Sequence, residues 1–541
     1  MLKKIFALLM VVVMLVGCTP AATTPTAVAT QPAAADATQP AAADATQPAA
    51  AEATTAATTA PAPAGEVVTL DYFWIGNGDT DQREAVQDAI NAYVEPLIGV
   101  NVVYHIIGWG DWDAKAVTGL QAGEKVDIFF TADWRNYMQL ATQGLFTPLN
   151  DATGPDGDLL EQYGQGILTT LNPAFITGTQ VDGVNFAVPT NKELTVPMGL
   201  IYNVTVGDEI GFTKEEAAKI KSYEDLEPWL AKYKEAYPNE YPYLAEESWG
   251  FEPWVPGFGA GIPANLLTQK LAPDGAGFDE TIYSVWETED NAQVSALLYA
   301  WMKKGYIHPD SGLTTRDVNP DFNAGKFLIR SQPLKGDNIK GQELVNASGN
   351  PDLIVDEIYG QPKVNVTVHA GGSMLAIPAI SDYPVEAMKF INLMHTDPKL
   401  INMMLYGVEG KNWELEPDGR VNIIDSAWYG AHGGAWTLGD TQIQAVSNKE
   451  DPEKNKMLIE YSNGSVDHPS LGFRFRTEPV QAELTALAAV TDGMNKALLT
   501  GSVDPAVELP KYVQALKDAG LDTVKAELQS QYDAWKATKG E

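Results

Sequence analysis

Thiols are almost missing from this chain: its 541 residues contain one cysteine, Cys18. One thiol excludes an internal disulfide framework, and none downstream excludes nucleophilic cysteine chemistry in the folded part. Basic residues are also scarce, with 36 Lys and Arg against 71 Asp and Glu and a formal net charge of −35. A charge of that sign disfavours nucleic acid and anionic lipid surfaces as partners and favours solubility. No second apolar run approaches membrane-spanning length after Val16. The six histidines, His105, His308, His369, His395, His432 and His468, are isolated. No two have ligand spacing on one helix, so no metal centre is expected. Neither a Gly-x-Ser-x-Gly elbow nor a P-loop occurs, and Gly76-Asn-Gly78 is too short a pattern for a dinucleotide. The oxygen-rich stretch from Asp151 to Glu161 lacks the EF-hand spacing and reads as a solvated acidic turn. No cofactor is expected.

The N-terminus carries an address. Lys3 and Lys4 precede an apolar stretch from Ile5 to Val16, too short to span a bilayer comfortably, which is the anatomy of a secretory signal. Cys18 directly behind small Gly17 resembles the lipobox of bacterial lipoproteins. That resemblance implies cleavage after residue 17, acylation of Cys18 and a lipid anchor on the outer face of the membrane. Residues 18–65 are nearly all Ala, Thr, Pro, Gln and Asp, with three near-identical repeats at 29–36, 37–44 and 45–52. Such a composition cannot build a core and reads as a disordered linker.

About 475 residues follow, enough for two or three domains. Val67–Ile75, Val100–Ile107 and Val126–Phe130 read as strands, separated by helical spacing at 81–97 and 115–121. This alternation predicts an α/β lobe with a mostly parallel sheet. The strands run out into Trp74, Asn77 and Asp79; into Trp109, Asp111 and Trp112; and into Asp133 and Trp134. In open α/β sheets ligands bind at that edge. Indole faces stack on sugar rings, while Asp and Asn bond their hydroxyls. Each of these tryptophans could equally cap the core, and three at one edge favour a cleft. After Val188 to Glu193 the texture changes to a second lobe, with a strand at Leu200–Asn203 and a capped helix from Leu226 to Tyr237. The Gly/Pro/aromatic stretch from Trp249 to Phe258 could face the first lobe. A return through 364–372 and 374–378 completes the first lobe discontinuously. Two crossings of this kind make a hinge. The tail from Val480 to Trp535 is helical, expected to break near Gly501, Pro505 and Pro510, with Tyr512, Val513, Leu516 and Leu521 as a core stripe.

The order of lipobox, linker and βαβ lobe, with 187–193, 223–229 and 387–393, resembles the family 1 extracellular solute-binding proteins of ABC importers. The segments 405–414 and 471–480 resemble the LipO-like subgroup, from whose pattern Arg474 and Arg476 depart. The resemblance implies a two-lobed periplasmic-binding-protein-like α/β fold with a hinge and a helix-rich C-terminal segment. It implies residues 66–190 as the first lobe, 191–365 as the second, 366–400 as the return and 401–541 as the C-terminal segment. It further implies a receptor, not an enzyme, that passes a solute to an ABC permease as a monomer. Carbohydrate is the favoured solute, with peptide or another small solute as alternatives. On this reading Asn191 and Glu193 at the hinge, Trp254 in the second lobe, and Glu409, Asn412, Trp413 and Trp436 join the strand-end residues around the ligand. A lipid-anchored glycan hydrolase, working through a carboxylate pair, and a surface scaffold remain the alternatives.

Overall fold

The computed structural model describes residues 66–541, except 246–250, 252–261, 263–265, 273–276, 314–315, 337, 349, 351, 433 and 541. Cys18, the repeats and Trp254 lie outside the described residues. The first lobe is a five-stranded sheet in the spatial order 100–108, 68–76, 128–131, 374–376, 187–189. Its first three strands pair in parallel, and Met374–Ala376 enters antiparallel between Ile128–Thr131 and Ala187–Pro189. Helices Arg83–Ile98 and Pro384–Thr396 supply Val86, Ile90 and Val94, and Ala387, Phe390 and Ile391, to the core. With both faces covered, the middle strands read as continuous apolar runs.

The second lobe carries a four-stranded sheet, ordered 355–359, 198–203, 329–333, 243–244. The strand Met198–Asn203 is antiparallel to both of its neighbours. The crossings are shorter than the strand-like return read from the sequence. Only Val364–Asn365 forms a strand in the 364–372 stretch, Val366 continues extended, and Thr367–Ala370 forms a helical turn. The two crossings are bonded to each other: the Thr195 hydroxyl donates to the Val364 carbonyl at 2.7 Å, and the Thr190 amide to the Ser373 carbonyl at 2.9 Å. A third crossing joins them where Val466–Asp467 pairs in parallel with Val364–Asn365.

The C-terminal segment is divided among three places. Leu400, Leu405, Trp413, Trp428 and Leu438 complete the core of the first lobe. Lys454–Asn463 lies at the second lobe, where the Tyr461 ring fills the space against Gly336. Beyond Phe473 the chain builds a separate core: Gln481–Leu499, Pro505–Asp518 and Leu521–Lys539 pack Leu484, Leu498, Leu516 and Leu528 against the antiparallel strands Leu267–Leu271 and Phe278–Ser284. Tyr512, Leu516 and Leu521 are buried there, in the expected stripe. Gly501, at φ 67°, makes the turn between the first two helices; a Cβ on it would lie 2.2 Å from the Leu298 carbonyl oxygen. Pro510 does not break the chain and lies inside Pro505–Asp518. Asp504 caps that helix and Pro510 is exposed, so the carbonyl left without its amide partner faces water.

Candidate ligand-binding site

Three indoles meet where the strands of the first lobe end. Trp109 follows the last residue of Val100–Gly108, Trp134 lies three residues beyond Ile128–Thr131, and Trp436 arrives from the turn Ala435–Thr437. Trp109 and Trp436 stack with centroids 5.9 Å apart and planes at 15°. Trp134 tilts over both, at 6.4 Å from Trp109 and 6.2 Å from Trp436. Polar edges are tied down: Trp109 Nε1 donates to Asn77 Oδ1 at 2.8 Å and Trp134 Nε1 to the Gly372 carbonyl at 2.8 Å. The Arg135 guanidinium covers part of Trp134 at 4.8 Å and pairs with Asp113 at 3.0 Å. What remains open is apolar ring surface, and Trp134 is 46% exposed. An aromatic face with the N–H groups of Trp109 and Trp134 already satisfied can stack on the C–H face of a ligand ring without breaking those bonds.

Trp436 also lines an adjoining interlobe cavity of about 220 Å³. Tyr406 and Tyr429 form a second platform there, 6.0 Å apart and within 7° of parallel. The Tyr406 hydroxyl donates to the Ala445 carbonyl at 2.7 Å, and burial pushes the Tyr429 hydroxyl up to about 12. The remaining wall is a charge chain. Glu193 meets Lys192 at 3.2 Å and Lys335 at 3.4 Å, Lys335 meets Glu343 at 3.2 Å, and Lys454 meets Glu450 at 2.6 Å. Burial alone would raise the Glu193 carboxyl; the Lys192 and Lys335 ammonium groups outweigh it and hold it at about 2. Burial lowers Lys335, yet Glu193 and Glu343 raise it overall. Burial, reinforced by Lys192, lowers His369 to about 3, and its Nδ1 accepts the Val196 amide at 3.2 Å. Among the described residues no group of His, Asp, Glu or Cys could hold a metal ion.

Several sequence-based site residues are elsewhere. Trp74 and Trp112 are wholly buried. Trp74 is sandwiched by Tyr72 and His432 at 5.8 and 5.1 Å, and Trp112 packs on Phe129 at 5.1 Å. Asp133 is paired with Arg474, and its carboxyl is raised by burial against the pull of that guanidinium. Asn191 is spent on the hinge: its amide nitrogen donates to Asp440 at 2.9 Å and its carbonyl accepts from Thr441. Asn412 is buried and accepts the Val408 amide at 3.0 Å, closing the turn after Gly407, while Trp413 is buried beside Tyr406. Asp79 and Asp111 pair with Arg83 and Lys115 one helical turn on, and Glu409 is exposed at an isolated backbone bridge to Trp413. Asn77, Trp109, Trp134 and Trp436 are brought together; Glu193 stands in the cavity wall. Tyr406, Tyr429, Lys335, Glu343, Glu450 and Lys454 escaped the sequence reading. Of the last four only Glu450 and Lys454 share a local spacing, four residues apart, and Tyr406 ends a helix instead of following a strand.

The chain is similar in sequence and fold to known proteins. Residues 77–399 match the bacterial extracellular solute-binding protein family, and residues 469–537 match a domain of unknown function, DUF3502. A carbohydrate ABC transporter substrate-binding protein of Streptococcus pneumoniae serotype 4 is 28% identical over 486 residues, 88% of this chain and 93% of the relative. The crystal structure of an N-glycan transport solute binding protein from Streptococcus pneumoniae superposes with a TM-score of 0.75 at 25% identity, covering 87% of this chain and 99% of that one. The same protein in complex with Man5GlcNAc gives 0.65 at 24% identity, covering 87% and 99%. The two-lobed fold and the family match over more than half its length agree: the chain belongs to the bacterial extracellular solute-binding protein family.

Proposed function

We propose that this protein is the receptor of an ABC importer, anchored on the outer face of the membrane by lipid on Cys18, and that it captures an oligosaccharide as a monomer and hands it to a permease. It binds and releases its solute without chemical turnover. The observation that carries this reading is the Trp109–Trp134–Trp436 cluster, an aromatic face at the strand ends beside the interlobe cavity. Support also comes from the carbohydrate and N-glycan receptors to which the chain is similar. Asn77 orients Trp109, and Glu193 sets the charge of the cavity wall. Residues 18–65 serve as the leash between the lipid and the folded part.

Titration calorimetry with Man5GlcNAc, smaller mannose–GlcNAc fragments, unrelated oligosaccharides and peptides tests the assignment. One oligosaccharide should bind with a change in tryptophan fluorescence and no product. Trp134→Ala and Trp436→Ala should each weaken it about tenfold or more, the scale of a buried aromatic anchor. Binding unaffected by both substitutions would remove the cluster from the site. Cys18→Ser should release the protein into the medium with its solute affinity unchanged; a released form of altered affinity would mean the anchor does more than tether.

A further inference from the structure

The segment after Leu471 alternates in direction. Phe473 and Phe475 are buried in the C-terminal core, while Arg474 and Arg476 between and beyond them reach the first lobe at Asp133 and Asp182. We propose that Arg474 is a positioning residue for Trp134: its ion pair with Asp133 holds the turn that presents the indole, making the C-terminal core part of the ligand-binding apparatus. The proposal rests on the reading of Trp134 as ligand surface.

The turn Asp133–Arg135 is a single helical turn between extended Ala132 and Asn136, which stands at φ 58°. So short a turn has few bonds of its own, from the Arg135 and Tyr137 amides to the Ala132 carbonyl at 2.8 and 3.2 Å, and it is otherwise held by distant segments. The Asp133 amide donates to the Gly371 carbonyl at 2.8 Å, and Trp134 Nε1 to the Gly372 carbonyl at 2.8 Å. The side chain of Asp133 is fixed by Arg474 alone among the described residues. Arg474 in turn donates from Nε to the Gln180 carbonyl at 2.8 Å and from Nη2 to the Gly178 carbonyl at 2.8 Å, with its plane 5.1 Å from the Tyr137 ring. Both partners are buried, at 6% and 10% side-chain exposure. Space on the far side is equally constrained, because a Cβ on Gly371 would lie 2.2 Å from Asp133 Oδ2. A planar fork with several fixed donors suits this position, and a lysine cannot reproduce it. Phe473 and Phe475 fix Arg474 from behind. Displacement of Trp134 by a ligand is therefore transmitted through Asp133 and Arg474 to helices that otherwise pack on the strands 267–271 and 278–284.

The test needs variants that fold. Arg474→Met alone strands a buried carboxylate, so the double variant Asp133→Asn with Arg474→Met removes both charges, and Arg474→Lys keeps the charge while losing the fork. In the full chain without ligand, acrylamide quenching of the Trp134 signal, taken as the difference from Trp134→Phe in each background, should rise about twofold in both variants. With Man5GlcNAc, affinity should fall about tenfold in the double variant and by no further factor once Trp134→Phe is added. Unchanged quenching of Trp134 in a cooperatively melting double variant overturns the proposal whatever the ligand. An equal loss of affinity with and without Trp134 overturns it too, since Arg474 would then act on the whole structure. Absence of Man5GlcNAc binding by the unaltered chain counts against that glycan as solute, and the ligand-free quenching still decides the role of Arg474.

Discussion

Trp74→Ala should cost about 3–5 kcal/mol of folding stability, the range for deleting a large aromatic from a close-packed core, while Trp134→Ala should cost about 1 kcal/mol or less. The two tryptophans come from adjacent strands of one sheet and differ in what surrounds them. Trp74 is in contact with Tyr72, Tyr104, Trp428 and His432, and its Nε1 donates to the Thr437 hydroxyl at 2.9 Å. Three of those partners belong to residues 428–437, the stretch that delivers Trp436. Loss of Trp74 therefore opens a cavity in the first lobe and frees the support of the ligand face, so solute affinity should fall along with stability. Urea unfolding followed by circular dichroism, beside calorimetry on the folded fraction, measures both. A Trp74→Ala protein of native stability would show that the 428–437 stretch is held by something else.

The strands that frame the site were readable because their apolar runs and flanking glycines are local signals. Val68–Gly76 and Val100–Gly108 fall within a residue or two of the expected spans. Which indole emerges from the sheet was not readable. Both faces of a covered parallel sheet are apolar, so no polar alternation marks the side that opens to solvent. Position along the strand separates the cases only in part: Trp74 lies inside its strand, Trp109 and Trp134 lie past the ends of theirs, and Trp112 lies past an end but turns inward. Carboxylates were misassigned for another reason. An Asp at a strand end looks free until its partner is known, and Asp133 finds its partner in Arg474, far along the chain, as the amide of Asn191 does in Asp440. The same long range hid the cavity wall, where Glu193 meets Lys335, and the C-terminal core, whose two strands come from the middle of the sequence.

Glu193→Gln should destabilise the protein by about 3–5 kcal/mol at pH 7, because it leaves two buried ammonium groups facing a neutral amide. Glu193 is 9% exposed, Lys192 7% and Lys335 15%, so water cannot replace the lost charge. Lys335 keeps Glu343, whereas among the ion pairs of the described residues Lys192 has Glu193 alone, and the strain falls on the first crossing between the lobes. The pH dependence identifies the residue. The folded carboxyl is held at about 2 against an ordinary 4.5, so its contribution is fully present above about 4.5 and is lost as pH falls toward 2. A shift of that size corresponds to about 3 kcal/mol, in line with the cost expected from breaking the pair. Urea midpoints of the unaltered and Glu193→Gln proteins should therefore be far apart at pH 7 and converge as pH falls from about 4.5 toward 2. A gap that stays constant over that range would assign the loss to packing of the side chain; no gap at pH 7 would mean that the two lysines are compensated without Glu193. Convergence would establish that the carboxylate charge of Glu193, set between Lys192 and Lys335 at the cavity wall, and not the bulk of its side chain, supplies this stability to the first crossing between the lobes.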